Sequence, residues 1–562
     1  MKAKKIVALL LTCGMVVSGL AGCGETGSES SRESSQESRQ EESGQDSEQE
    51  TGQESTGQTE EEAGGETGKI TFPLEEPVTM TMFSVTGSEF NLEDSATMKK
   101  MEELTNVHWE IQNVPSTEAQ EKRGLALNSG EYPDIFMKGG LTTGELAEHG
   151  KEGTFIPLED LMREYAPNFC QAMDARDQWD SIVSPDGHIY GFPELEEKSY
   201  LNVLLWINKS WLDNLGLEKP TTKDEFYEVL KAFKEQDANG DGDPNNEIPF
   251  IASSDLATIE DMAPFFGLYY GGFWDDYAIM DDKMVFWPGT ENWKECLAYL
   301  HKLYDEELLY NQLFTTTIEQ ARAMGLSGTP IGCMFEWNPC LTVGTYADGG
   351  KEMEYEALEL FDGYKFTAGA GLQYGTFAIT DKCQYPEIAV AWVDYFYSEE
   401  GGRLAGLGVE GVSYEVNDEG LWSYIMDGEY GDRVEFAATM WQGGGVGLPM
   451  RHTDFEYYSK YVDKDVNPGA TIVVDTLKRL RDNDKLGTPW PSLSYTEEES
   501  ERMGALRADI DAYWKQYRAG VITGKEDLDA TWDNYLSTLE QMKVSELTEI
   551  YQAAYERSKT GN

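Results

Sequence analysis

The stretch from Asp237 to Phe250, DANGDGDPNNEIPF, carries residue types that suit a hard cation. Acidic or amide side chains stand at Asp237, Asn239 and Asp241, and Gly242 follows. Alternate side chains of a tight loop converge their oxygens on one point, and the glycine permits the sharp turn. An EF-hand loop opening at Asp237 would place its bidentate glutamate where Ile248 stands; the nearest acid, Glu247, comes one residue early. From this spacing alone three readings stay open: a calcium sensor, a structural calcium clip, and a polar loop with no ion.

A second chemical signal lies at the start. Lys2, Lys4 and Lys5 precede an apolar run from Ile6 to Leu20, too short and too glycine-interrupted for a membrane span, which reads as a signal peptide over residues 1–22. The run ends in Leu20-Ala21-Gly22-Cys23, the form of a bacterial lipobox, which makes Cys23 the lipidated first residue of the mature chain. The plainer alternative is an ordinary signal peptide cut after small residues. Residues 23–68 are Ser, Glu, Gln, Gly and Thr with almost no apolar side chain, so they cannot offset their ordering entropy and form a disordered acidic tether. The acyl chains at Cys23 are then the only membrane contact.

The chain has 44 Lys+Arg against 103 Asp+Glu, a formal net charge of -59. That balance disfavours nucleic acid and anionic membrane surfaces as partners. Aromatic residues make up 12% of the chain, including 14 Trp and 30 Tyr, which suits stacking on sugar rings. Five His argue against His-based catalysis or a His-rich metal centre. Neither a Gly-x-Ser-x-Gly elbow nor a His-Glu-x-x-His motif occurs. Beyond Cys13 and Cys23 the cysteines are Cys170, Cys296, Cys333, Cys340 and Cys383, without CxxC spacing, so buried free thiols are expected rather than a disulfide framework.

These signals need a scaffold. Strands are expected at Pro77–Val85, in VHWEIQNV, at Asp134–Met137, at Val203–Asn208 and at Thr376–Thr380. Helices are expected between them, with Met98, Met101 and Leu104 on one inward face and Ile388, Ala391, Trp392, Tyr395 and Phe396 on another. IVSPDGHIYGFP reads as a turn and hairpin, and Thr222 with Glu225 as a capping box. The tail from Glu497 reads as helical throughout. Alternation of strands and helices predicts an α/β fold with mainly parallel sheet.

The ordered set YPDIF, GTFIPLEDLM, SPDGHIYGFP, LLWINKSWLDNLGL, PTTKDEFYEVLKAFKEQDANGDGDPNNEIPF and YPEIAVAWVDYFYSEEG, together with the lipobox, resembles the extracellular solute-binding proteins of ABC importers. Within them it is similar to the sugar-binding family that includes maltose-binding protein, and to its long lipoprotein members in Gram-positive bacteria. The resemblance implies a two-lobe, type II periplasmic-binding-protein-like fold with a hinge, an interlobe cleft and extra C-terminal helices. The first lobe would comprise residues 69–191 and 376–430, the second 192–375 and 431–562. Ligand would bind between them, and separate ABC permease subunits would receive it. A monomer is the family's usual form, and the lipobox implies anchoring to the outer face of the cell membrane.

Sugars need aromatic platforms for their ring faces and polar groups for their hydroxyls. On the implied cleft, the candidates are Phe83, Ser84 and Asn91 after the first strand, Lys138 after PDIFM, and Trp206 at the crossing. Further candidates are Tyr269, Tyr270, Trp274, Glu336, Trp337, Tyr374 and Trp441, several of them beside loop-forming residues. Each also has a plain core reading. The resemblance further favours a structural calcium clip, because related chains carry an Asp/Asn-Gly loop at this place. Asp237, Asn239, Asp241, Asp243, Asn245 and Glu247 would then hold Ca2+. Three rival functions fit the same residues: a surface glycoside hydrolase built on a carboxylate pair, a sensor or adhesin, and a binding protein for a peptide or other solute.

Overall fold

In the computed structural model the described residues are 70–86, 91–195, 203–255, 258–268, 276–344, 349–368, 371–425 and 460–560, without 467, 470, 492 and 494. The signal peptide, Cys23, the tether and residues 426–459 lie outside them.

Two sheets organise the body. The first has the order β2-β1-β3-β12-β4, from β1 (Val78–Thr86), β2 (Val107–Pro115), β3 (Ile135–Met137), β4 (Phe192–Leu195) and β12 (Leu372–Ile379). β1 runs parallel to β2, from Val78 opposite Val107 to Thr86 opposite Pro115, and parallel to β3. β12 lies antiparallel between β3 and β4. The second has the order β10-β5-β9-β6, from β5 (Leu204–Asn208), β6 (Ile248–Ile251), β9 (Ile331–Glu336) and β10 (Tyr355–Ala357). β6 and β9 are parallel, and β5 is antiparallel to β9 and β10. Both sheets are therefore mixed rather than mainly parallel. The reason is the crossing pattern: the strands that leave or re-enter a lobe run against the βαβ strands beside them.

The chain leaves the first sheet after Leu195 and joins the second at Leu204, then rejoins the first at Leu372. The first lobe thus extends beyond the expected 69–191 and 376–430 to include β4 and the start of β12. No hairpin forms over IVSPDGHIYGFP. A turn is present, with Gly187 N–H donating to the Ser184 carbonyl, but its second arm becomes β4 and pairs with β12.

Local chemistry explains the helices beside the cleft. Ser95 caps the helix Ala96–Thr105, whose Met98 and Met101 are buried. Thr222 accepts from Glu225 N–H at the start of Lys223–Glu235. The other half of the expected capping box is displaced by one residue, because the Glu225 carboxylate accepts from the Thr221 N–H and hydroxyl at 2.8 Å. Pro386 opens the helix Pro386–Asp394, and Asp394 turns inward to accept from Asn168 and Phe169 N–H, capping the helix Pro167–Arg176. Here Ala389, Val390, Trp392 and Val393 are buried, whereas Ile388 and Ala391 are only partly so.

One hydrophobic core, including Met80, Trp109, Phe192 and Trp392, underlies the first sheet. A larger one, including Trp206, Phe250, Trp293 and Trp514, underlies the second. The C-terminal helices Glu497–Ile522, Leu528–Gln541 and Val544–Thr560 belong to the second core. Trp514 stands edge-on to Trp287 at 5.4 Å, and Tyr551 stacks on Tyr277 at 3.8 Å. Burial of such rings contributes roughly 25 cal/mol per Å² of apolar surface, which accounts for the firm seating of the tail. All five described cysteines are free, including Cys333 and Cys340.

Candidate ligand cleft

Open α/β sheets bind ligands beyond the carboxyl ends of their parallel strands. At that edge of the first lobe β1 delivers Ser84 and Thr86, and β3 delivers Lys138. Lys138 is buried in a left-handed conformation, φ 53°, with its N–H donating to the Thr376 carbonyl. Burial pulls its ammonium down to about 7, with the Glu194 carboxylate pulling it back up. The Ser84 hydroxyl is buried and, among the described residues, has no hydrogen-bond partner.

Next to this edge the helix Thr143–Lys151 begins with a full capping box between Thr142 and Glu145. Arg123 holds that turn in place, donating to Glu145 at 2.8 Å and to the Gly139 carbonyl at 3.1 Å. A cavity of about 220 Å³ opens here. Thr143, Ser184, Leu372 and Tyr374 line it from the first lobe, and Leu493 and Tyr495 from the C-terminal part of the chain. The Tyr374 hydroxyl accepts from Tyr190 N–H at 3.0 Å, which fixes the ring. Tyr495 is braced by the Tyr551 ring at 5.7 Å. Two fixed, half-buried aromatic rings, one from the first lobe and one from the C-terminal part of the chain, thus line one cavity. That arrangement can cover a sugar face and answer its hydroxyl rim.

At the matching edge of the second lobe, β9 ends in Glu336. Its carboxylate accepts from Arg322 at 2.9 and 3.0 Å, from Trp337 N–H at 2.9 Å and from the Thr342 hydroxyl at 3.1 Å. The Arg322 guanidinium also sits 5.8 Å from the Trp337 ring, which is half-buried.

Three expected ligand residues are corrected by this geometry. Phe83 is fully buried, its ring packed 5.1 Å from Phe136, so it has no free face. Trp206 is fully buried and spends its indole N–H on the Glu336 carbonyl at 2.8 Å. Glu336 is buried with its acceptor sites filled. The reason is common to all three: these strands are buried on both faces, so the strand end that the sequence marks is core rather than cleft. Asn91 is exposed and pairs with Asp94. Tyr269, Tyr270, Trp274 and Trp441 lie outside the described residues. Tyr495 was not foreseen; nothing in PSLSYTEEES signals that a tyrosine ahead of a helix reaches across to the first lobe.

The acidic loop closes on itself. Gly242 N–H donates to Asp237 and Ala238 N–H to Glu247, at 2.9 and 3.1 Å. The Asn239 and Asn246 amides donate to Asp241 at 3.1 and 2.7 Å. Asn246 chiefly, with Asp243 N–H, holds the Asp241 carboxyl below its usual range. The second oxygens of Asp237 and Glu247, Oδ1 and Oε2, are buried without a hydrogen-bond partner. Among the described residues no three His, Cys, Asp or Glu side chains are gathered as a metal would gather them. The donor set nevertheless fits calcium: two orphaned carboxylate oxygens, and amides that present oxygen after rotation. Asp243 and Asn245 bond to one another at 3.2 Å rather than pointing at the others.

Residues 90–403 match the family described as bacterial extracellular solute-binding protein. The chain belongs to that family. This solute-binding protein is 28% identical over 520 residues to the fructooligosaccharide ABC transporter substrate-binding protein FusA of Streptococcus pneumoniae, covering 87% of this chain and 92% of FusA. It is 24% identical to the polygalacturonan/rhamnogalacturonan-binding protein YtcQ of Bacillus subtilis, over 82% of this chain and 88% of YtcQ. Two solved S. pneumoniae FusA structures, one with kestose and one an EF-hand mutant with fructo-nystose, each superpose with a TM-score of 0.71. Each shows 24% identity and covers 86% of this chain and 100% of FusA. An HMO-binding solute-binding protein from Bifidobacterium longum infantis gives a TM-score of 0.68 at 21% identity, over 86% and 99%. The fold is therefore the two-lobe binding-protein fold, and the family is one of binding proteins rather than hydrolases.

Proposed function

We propose that this solute-binding protein captures an oligosaccharide between its lobes and hands it to an ABC importer permease. The observation that carries this reading is that Tyr374 of the first lobe and Tyr495 of the C-terminal part line one cavity. Relatives named for fructooligosaccharide and polygalacturonan support carbohydrate as the class. The test is calorimetry of the mature chain with a panel of oligosaccharides and, in parallel, oligopeptides. Binding of a sugar in one-to-one ratio supports the reading; peptide binding with silence across the sugar panel overturns it.

Two attributes accompany it. Cys23 anchors the chain by acyl groups, with the tether of residues 23–68 as spacer. Asp237, Asn239, Asp241 and Glu247 hold a structural Ca2+, with Asp243 and Asn245 contributing at the rim, a reading supported by the EF-hand that the FusA mutant's description names. When bound, the ion supplies charge neutralisation and loop closure, not catalysis.

A further inference from the structure

A second depression lies on the second lobe, away from the cavity of Tyr374. It has a volume of about 570 Å³ and is formed where the helices Glu497–Ile522 and Leu528–Gln541 meet the segment after Asp305. All its walls come from second-lobe elements, so it is not part of the interlobe cleft. Its aromatic side is a stack of three rings, Tyr535 lying 4.0 Å from Tyr517 and 5.6 Å from Tyr513. The inner rings are anchored: Tyr535 donates to the Pro288 carbonyl, and Tyr517 shares a hydrogen bond with Thr531. Tyr513 is half-buried, and among the described residues its hydroxyl has no hydrogen bond.

The rim is equally specific. Asn311, Gln312, Gln516 and Asn534 are exposed, and none of their side-chain amides makes a hydrogen bond among the described residues. Glu526 folds back over Gly520, where an added Cβ would come within 2.7 Å of its side chain, so a glycine is needed for that approach. Its N–H donates to the Gly520 carbonyl, which fixes the turn. The opposite wall is preset too, with the Tyr304 hydroxyl donating to the Asn311 carbonyl and Arg518 lying 5.4 Å from the Phe314 ring. One half-buried tyrosine, Tyr513, held by the buried rings of Tyr535 and Tyr517 and accompanied by unspent amides and one carboxylate, has the chemistry of a carbohydrate subsite, and the groove's volume lies in the ordinary range for a small ligand.

We propose that this groove is a second saccharide-binding site, distinct from the cleft and weaker than it because it is open and does not close on its ligand. It rests on the carbohydrate reading only for the class of sugar. The experiment is calorimetry and hydrogen exchange on the mature chain with fructo-oligosaccharides, oligogalacturonides and malto-oligosaccharides, as trimers and hexamers. The variants are Tyr513→Ala and Asn534→Ala, the latter at an exposed residue. For the sugar that binds, a strong and a weak phase are expected, with protection of residues 311–316 and 513–534 in the weak one. Each variant weakens that phase by about tenfold and leaves the strong phase unchanged. A strong phase alone, or a weak phase indifferent to both substitutions, overturns the groove and leaves the cleft standing. A weak phase alone, sensitive to both, supports the groove and overturns the cleft reading. Silence of every sugar overturns both.

Discussion

Arg322 grips Glu336 through two parallel hydrogen bonds, Nε to Oε2 at 2.9 Å and Nη2 to Oε1 at 3.0 Å. Glu336 is fully buried, while Arg322 is partly exposed. This pair ties the helix Ile318–Leu326 to the end of β9, and the guanidinium then supports Trp337. Removing the arginine leaves a buried, uncompensated carboxylate. We expect Arg322→Ala to destabilise the second lobe by about 3–5 kcal/mol, read as a lower midpoint in urea unfolding. Glu336→Gln removes the buried charge, keeps one oxygen to accept from Trp337 N–H and can donate its amide to the Thr342 hydroxyl, and is expected to cost less. Equal losses in the two variants would show that the ion pair is not what holds this corner.

Tyr374 is expected to matter through its ring. Tyr374→Ala removes both the platform and the acceptor of Tyr190 N–H, and lowers glycan affinity about tenfold or more. Tyr374→Phe keeps the platform and loses only the hydroxyl, so most of the affinity survives. Tyr495→Ala, on the other wall, follows Tyr374→Ala. Calorimetry checks all three; full affinity in both alanine variants would remove this cavity from the binding site.

Element types were legible because local rules and tertiary burial agreed. Thr222 marks a helix start in the sequence and stands at one, and Met98 and Met101 fall on the buried face that their spacing predicts. Site residues were harder. Phe83 and Trp206 carry the right chemistry, but both sit inside their strands, and which face of a strand meets the cleft depends on its neighbours. The hairpin expected around Pro185 failed for the same reason: β4 finds its partner in β12, far along the chain. Tyr495 is the extreme case, since its role follows from how the tail packs on Tyr551.

Calcium is expected to stabilise without gating. At free calcium about 100-fold above its Kd, mass action adds about 2.7 kcal/mol to the folded state. Chelation should therefore lower the melting temperature while leaving glycan affinity nearly unchanged. Asp237→Ala and Glu247→Ala remove the two orphaned carboxylate oxygens and should abolish the calcium response. An unaltered melting temperature on chelation, or outright loss of glycan binding, contradicts the clip.

Lys138 sets a pH signature. Its folded-state value, pulled by burial to about 7 from an ordinary 10.5, means that below pH 7 the folded protein carries a buried ammonium and the full cost of it. Between pH 7 and 10.5 the unfolded chain keeps a proton that the folded chain has released. The unfolded state then binds more protons, so stability rises with pH, by at most about 1.4 kcal/mol per pH unit from this group. Lys138→Met removes the ammonium and with it this slope. The stability difference between the variant and the parent should therefore be constant below pH 7 and move steadily in the parent's favour above it. Urea unfolding from pH 6 to pH 9 measures it; a difference that stays flat across that range would mean that the Lys138 ammonium keeps its ordinary affinity for the proton despite its burial beside Glu194.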